Sequence, residues 1–201
     1  MMLIVILLLA YLIGSIPSGL WIGKLFYQTD IREHGSGNLG GTNTFRTLGK
    51  KAGLIVTTLD ILKGTAATSL GLLSLFNQVD VHPLVLGMLA VVGHMFPVFA
   101  NFKGGKAVAT SGGVLLAYNW PIFVILVLGF FIILKITKIV SLTSMCLAVI
   151  ALIYSVVYYL TVEKDWPLIL IVTILAVFIF YRHRANIKRM KEGTEPKVTW
   201  I

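Results

Sequence analysis

Ala107-Val108-Ala109-Thr110-Ser111-Gly112-Gly113-Val114-Leu115-Leu116-Ala117-Tyr118, then Asn119-Trp120, then Pro121-Ile122-Phe123-Val124-Ile125-Leu126-Val127-Leu128-Gly129-Phe130-Phe131-Ile132-Ile133-Leu134, is the stretch on which the fold turns. A membrane-spanning helix needs about 20 residues. This stretch therefore reads as one kinked helix or as two short ones. Five further apolar runs are comfortable spans: Met2 to Phe26, Gly53 to Phe76, Pro83 to Ala100, Ile139 to Leu160 and Trp166 to Tyr181. The placement of charge decides between six crossings and seven. With seven crossings and the N-terminus outside, Arg32, Arg46, Lys103, Lys106, Lys135, Lys138 and the basic cluster from Arg182 to Lys197 share one side. The other side holds only Lys164, beside Asp80, Glu163 and Asp165. With six crossings, Lys135, Lys138 and the basic tail move across. Cytoplasmic loops are the ones enriched in Lys and Arg. The expected fold is thus all-α and polytopic, with seven transmembrane helices, two of them short, the N-terminus outside and the C-terminus cytoplasmic.

Composition agrees. Of 201 residues, 57% are hydrophobic and only 12% charged, against about 25% charged in soluble proteins. The lone cysteine, Cys146, excludes an internal disulfide and a CxxC metal or redox site. The first apolar run has no basic residue ahead of it, so it reads as a retained span and not as a signal peptide. No linker, low-complexity tract or solenoid repeat divides the chain, and residues 1–201 are expected to form a single domain.

Two polar segments interrupt the apolar background. The first is Gly35-Ser36-Gly37-Asn38-Leu39-Gly40-Gly41-Thr42-Asn43-Thr44-Phe45-Arg46. Its glycines permit positive φ and close backbone approach, so successive amides can converge on an anion. Thr42 or Asn43 is expected to cap a short helix running toward Gly49. A helix start seats phosphate, and Arg46 one turn in can grip it with two hydrogen bonds. The second segment is Asn101-Phe102-Lys103-Gly104-Gly105-Lys106, after Pro97, which is expected to kink or end the third span. Ammonium groups beside bare backbone again suit phosphate. Neither segment has the spacing of a P-loop, so ATP or GTP hydrolysis is not expected.

The C-terminal stretch Tyr181-Arg182-His183-Arg184-Ala185-Asn186 puts His183 and Asn186 three apart, on one face if the last helix continues. His183 is the best-placed general base of the four histidines. Asp60 and Lys63, three apart inside the second span, read as an ion pair facing the bundle. Ser141 can donate to a polar substrate or cap its helix. Gly14-Ser15-Ile16-Pro17-Ser18-Gly19 reads first as close helix packing and second as a slot for an acyl chain. No residue spacing suits zinc or magnesium, and no serine nucleophile with a histidine partner is indicated.

Taken together these segments resemble a known family. Gly35-Ser36-Gly37-Asn38-x-Gly40-x-Thr42-Asn43-x-x-Arg46, Gly93-His94-x-Phe96-Pro97 with Lys103-Gly104-Gly105-Lys106, and His183-Arg184-x-Asn186-Ile187-x-Arg189 with Gly193-Thr194-Glu195 look like the three cytoplasmic motifs of the bacterial acyl-phosphate:glycerol-3-phosphate acyltransferases, the PlsY family. Asp60-x-x-Lys63-Gly64 is similar too. The resemblance implies an enzyme of phospholipid synthesis in the bacterial inner membrane, with its active site on the cytoplasmic side. It would move an acyl group from acyl phosphate to the 1-hydroxyl of glycerol 3-phosphate, giving lysophosphatidic acid and phosphate. No cofactor, metal or nucleic acid is implied, and the monomer would suffice.

On that reading Ser36, Gly37, Asn38, Gly40, Thr42 and Asn43 hold the acyl-phosphate head. Arg46, Lys106, Ser141, His183 and Asn186 hold glycerol 3-phosphate, with Lys103, Gly104, Gly105 and Arg184 beside them. His183, Arg46, Lys106 and Asn186 are the catalytic candidates, with either His183 or an acyl-phosphate oxygen taking the hydroxyl proton. The alternatives from other classes are a small anion or phosphate transporter and a membrane scaffold.

Overall fold

A computed structural model describes residues 1–76 and 78–199. These residues form ten α-helices with short 3-10 turns and, among the described residues, no strand. They pack as two compact units, Met1–Asn119 and Trp120–Ile201.

In the first unit, α1 (Met2–Ser15) and α2 (Ser18–Tyr27) divide the first apolar run with a bend of 47°. This corrects the expectation of one continuous helix. Pro17 has no N–H for the helical ladder, and it drives the residue before it out of the helical region. Ile16 accordingly sits at φ −59°, ψ 113°. The short α3 (Gly41–Leu48) leads into α4 (Lys50–Ser69), and α5 (Pro83–Met95) is followed by a 3-10 turn at Val98–Ala100 and then α6 (Val108–Tyr118). Pro97 falls between the helix and the turn, as the sequence suggests.

Glycines allow close backbone contact between these helices. A Cβ on Gly14 of α1 would strike the Ala90 backbone of α5, and one on Gly93 of α5 would strike the Tyr11 carbonyl of α1. Gly64 and Gly113 do the same between α4 and α6, meeting the Thr110 and Ile61 carbonyls. Apolar lipid gives helices no hydrophobic reason to associate, so van der Waals contact of this kind holds them.

The second unit holds α7 (Trp120–Thr137), α8 (Val140–Thr161), α9 (Trp166–Arg182) and α10 (Arg184–Lys191). With 18 residues of mean hydropathy 2.4, α7 is long and apolar enough to cross a membrane. The expectation of two short helices is therefore half corrected. The helix continues through Lys135 to Thr137 and stops at Lys138, whose φ of 58° breaks it. Only α6, with 11 residues, is short, reaching about 16 Å at 1.5 Å per residue.

Three stretches are long and apolar enough to cross by themselves, Pro83–Ala100, Trp120–Thr137 and Val140–Thr161, and the bent pairs α1/α2 and α9/α10 bring the number to five. The remaining apolar runs are α6 and α4, whose 20 residues carry Lys50, Lys51, Asp60 and Lys63. The chain is a multi-pass helical membrane protein.

Candidate active site

In the first unit the Gly35–Arg46 segment is shaped from within. Asn43, 1% exposed, donates from Nδ2 to the Ile31 and His34 carbonyls at 2.9 and 3.1 Å. Its Oδ1 accepts from the Ser36 N–H at 2.9 Å. The amide of Asn43 thus binds its own loop. Gly35 and Gly37 stand at φ +60° and +67°, a region costly for residues with a Cβ, and the Gly37 N–H closes a turn onto the His34 carbonyl. Asn38 Oδ1 accepts from the Gly40 N–H at 3.0 Å. The cap of α3 is Gly40, without a side-chain capping bond. This corrects the expected cap at Thr42 or Asn43, which lie in the first turn because Asn43 points inward. Ser36 is exposed, Thr42 half-buried, and Arg46 exposed in the last turn.

A separate pair ties down the start of this loop. Arg32 binds both carboxylate oxygens of Asp30, at 2.9 Å from Nε and 2.6 Å from a terminal nitrogen. Those hydrogen bonds hold the Asp30 carboxyl below the usual carboxylate range.

The Lys103–Lys106 segment is shaped from outside itself. The Gly105 N–H donates to the His94 carbonyl at 3.1 Å. A Cβ on Gly104 would strike the carbonyls of His94 and Met95, and one on Gly105 would strike the His94 ring. Left-handed backbone falls on flanking residues that are not glycine: Asn101 at φ 54°, Phe102 at 58° and Ala107 at 62°. Such strain persists only where surrounding structure enforces it. Lys103 is exposed and Lys106 half-buried. The two segments belong to one end of this unit, because Leu39 of the first and Ala100, just before the second, share a buried apolar cluster with Leu20 and Ile31.

Below them lies a buried ionic centre. Asp60 Oδ1 accepts from Lys63 Nζ at 2.8 Å and from Ser18 Oγ at 3.0 Å, and lies 3.6 Å from His94 Nδ1. Lys63 Nζ also donates to the Ile16 carbonyl at 2.8 Å, at the α1/α2 break. The expected ion pair is there.

In the second unit the last helix does not continue straight. A 54° bend separates α9 from α10 at His183. The sequence changes there from an apolar stretch to one carrying Arg184, Lys188, Arg189 and Lys191. His183 is 2% exposed, and its Nδ1 lies 2.7 Å from the Ile179 carbonyl. A carbonyl only accepts, so Nδ1 carries the proton and a neutral ring keeps its lone pair on Nε2. Arg184 stacks 4.5 Å above the Tyr181 ring.

Ser141 and Asn186 are brought together by Glu195, a residue to which the sequence reading gave no role. Glu195 Oε1 accepts from Ser141 Oγ at 2.7 Å and from Asn186 Nδ2 at 2.6 Å, while Oε2 accepts from Arg189 Nε at 2.7 Å. Burial raises the carboxyl, but these hydrogen bonds outweigh it and keep the group below its ordinary value. Nearby, the Val198 N–H binds the Lys138 carbonyl at 2.8 Å, fixing the tail to the α7–α8 corner. The sequence signal for Glu195 was its place in the Gly193-Thr194-Glu195 end of the third motif, which gave it no partner. No group of three or more His, Cys, Asp or Glu that could hold a metal ion occurs among the described residues.

Residues 4–193 match the family described as glycerol-3-phosphate acyltransferase. The chain is 58% identical over 201 residues to the glycerol-3-phosphate acyltransferase of Bacillus subtilis (strain 168), covering 100% of both chains. It is 59% identical over 195 residues to that of Geobacillus kaustophilus (strain HTA426), covering 97% of this chain and 95% of the relative. Among solved structures it resembles PlsY, an integral membrane glycerol 3-phosphate acyltransferase, in its glycerol 3-phosphate form. The TM-score is 0.87 and the identity 35%, over 98% of this chain and 95% of that one. The lysophosphatidic acid form of PlsY matches with a TM-score of 0.83 and 34% identity, over the same shares.

Proposed function

The chain belongs to the glycerol-3-phosphate acyltransferase family, and from that premise we propose that it transfers an acyl group from acyl phosphate to the 1-hydroxyl of glycerol 3-phosphate. The hydroxyl oxygen attacks the acyl carbon, the bond from that carbon to the phosphate oxygen breaks, and inorganic phosphate leaves with lysophosphatidic acid as the other product. The hydroxyl proton passes to His183 Nε2 or to an oxygen of the acyl phosphate. The mixed anhydride is already activated, so positioning supplies much of the rate. Cationic groups offset the charge that develops on the acyl oxygen and the departing phosphate.

Ser36, Gly37, Asn38, Gly40 and Thr42 take the acyl-phosphate head through hydroxyl, amide and backbone donors, with Asn43 holding their loop in shape. Arg46 and Lys106 take the phosphate of glycerol 3-phosphate, with Lys103, Gly104, Gly105 and Arg184 beside it. His183 and Asn186 orient its hydroxyl, and Ser141 supports them. The chain acts as one domain and as a monomer, without a cofactor. It crosses the bacterial inner membrane seven times, with the N-terminus outside and the chemistry on the cytoplasmic side.

The observation that carries this reading is the gathering of the two glycine and basic segments at one end of the first unit, over the Leu20, Ile31, Leu39 and Ala100 cluster. Two phosphorylated substrates need two such donor sets. Nothing favours the transporter or scaffold readings over it.

Purified protein incubated with glycerol 3-phosphate and either palmitoyl phosphate or palmitoyl-CoA tests the donor. Lysophosphatidate is expected from the acyl phosphate, and product from the thioester alone refutes the assignment. In the same assay His183→Ala separates the two bases. Loss of nearly all kcat at unchanged KM assigns the proton to His183, and a KM defect assigns it to the substrate.

A further inference from the structure

We propose that His94, backed by Asp60, is a positioning residue that sets the Gly104-Gly105-Lys106 turn and so the place of the Lys106 ammonium. The proposal rests on the reading above, in which Lys106 binds glycerol 3-phosphate.

Neither Gly104 nor Gly105 has positive φ, so the backbone itself tolerates alanine at both. What forbids a side chain differs between the two positions. At Gly104 the obstacles are backbone and proline: the His94 and Met95 carbonyls and Pro97 Cδ. At Gly105 the three nearest atoms to an added Cβ are Nε2, Cε1 and Cδ2, all in the His94 ring. The ring therefore fills the space that a side chain at Gly105 would need.

The ring is fixed in its turn. His94 is 6% exposed, with Nδ1 facing Asp60 Oδ1 at 3.6 Å. Asp60 is itself immobilised by Lys63 and Ser18. A rigid ionic centre on α4 thus sets the angle of a ring on α5, and that ring sets the path of the turn one residue before Lys106. A displacement of about 1 Å at a binding group can cost on the order of 100-fold in rate, so an imidazole that touches no substrate can still govern turnover.

A size-exchange cycle tests this in the intact membrane enzyme. Gly105→Ala is expected to lower kcat/KM for glycerol 3-phosphate by about 100-fold. In a His94→Ala background the ring is gone, and adding Gly105→Ala should then cost less than about 3-fold. Gly104→Ala is the control, because its obstacles are carbonyls and Pro97 Cδ, which His94→Ala leaves in place, so its loss should be the same in both backgrounds. His94→Ala alone should raise KM for glycerol 3-phosphate and leave KM for acyl phosphate unchanged. Thermal unfolding is followed for every variant, and His94→Ser replaces His94→Ala if the latter does not fold. The proposal is overturned if Gly105→Ala costs the same with and without the ring, or is harmless in the natural sequence. A natural enzyme that transfers no acyl group from acyl phosphate refutes the assigned reaction instead, which separates the two failures.

Discussion

The Gly35–Gly41 and Gly104–Gly105 segments look alike in composition, yet their glycines answer to different forces. In the first, Gly35 and Gly37 are needed for their own dihedral angles, at φ +60° and +67°. The loop is stitched by Asn43, a residue seven positions on from Ser36. In the second, the glycines have ordinary φ and are needed because their neighbours stand against them: the His94 ring at Gly105, and the His94 and Met95 carbonyls with Pro97 at Gly104. The unusual dihedrals fall instead on Asn101, Phe102 and Ala107. One loop carries its shape in its own sequence. The other takes its shape from α4 and α5. A glycine-rich polar loop is therefore no single signal.

The contrast can be broken experimentally, and the largest effect is expected at Asp60. Asp60→Ala leaves the Lys63 ammonium, 5% exposed at its side chain, without its counter-ion. Losing one partner of a buried pair costs about 3–5 kcal/mol. Thermal unfolding in detergent should report that loss, and amide exchange should rise at Lys103–Ala107 while Gly35–Gly41 stays protected. Exchange rising at the first loop alone would reverse the contrast.

Asn43→Ala comes next. It leaves the Ser36 N–H without its acceptor and takes one of two donors from each of the Ile31 and His34 carbonyls, and each lost hydrogen bond contributes about 0.5–1.5 kcal/mol. Amide exchange should now rise at Gly35–Gly41 and leave Lys103–Ala107 unchanged. Equal deprotection of both loops would show that they share one support.

The smallest effect is expected at Gly37. Its nearest obstacle to a Cβ is the Arg32 carbonyl, at 3.2 Å, so the cost of Gly37→Ala is mainly that of the left-handed backbone, about 1 kcal/mol. Gly40→Ala, at φ −81°, should be nearly neutral in thermal unfolding. If the two substitutions cost the same, dihedral demand does not distinguish these glycines.

Much of the fold was legible because a bilayer imposes simple rules. Apolar runs and one proline, Pro97, located most of the helices. Gly14 announced close packing, but the break at Pro17 was not read from the sequence. Other features depend on partners far along the chain, and a sequence does not show those. Nothing in Asn43 itself distinguishes an amide that binds substrate from one that binds its own loop. Glu195 lies 54 residues from Ser141, and no local pattern joins them. The length of α7 was missed for a different reason. Lys135 looked like the edge of a span, but a lysine stem can lie along the helix while its ammonium reaches the interface.

The bond between Lys63 and the Ile16 carbonyl has a consequence for the break between α1 and α2. A chain interrupted inside hydrocarbon normally needs water or neighbouring groups to satisfy its carbonyls. Here the carbonyl at the interruption accepts from the Ser18 N–H at 3.1 Å and from the ammonium at 2.8 Å, which fills both lone pairs. The break therefore needs no hydration of its own at this carbonyl, and the ammonium that Asp60 neutralises doubles as the plug for the lone pair left open there.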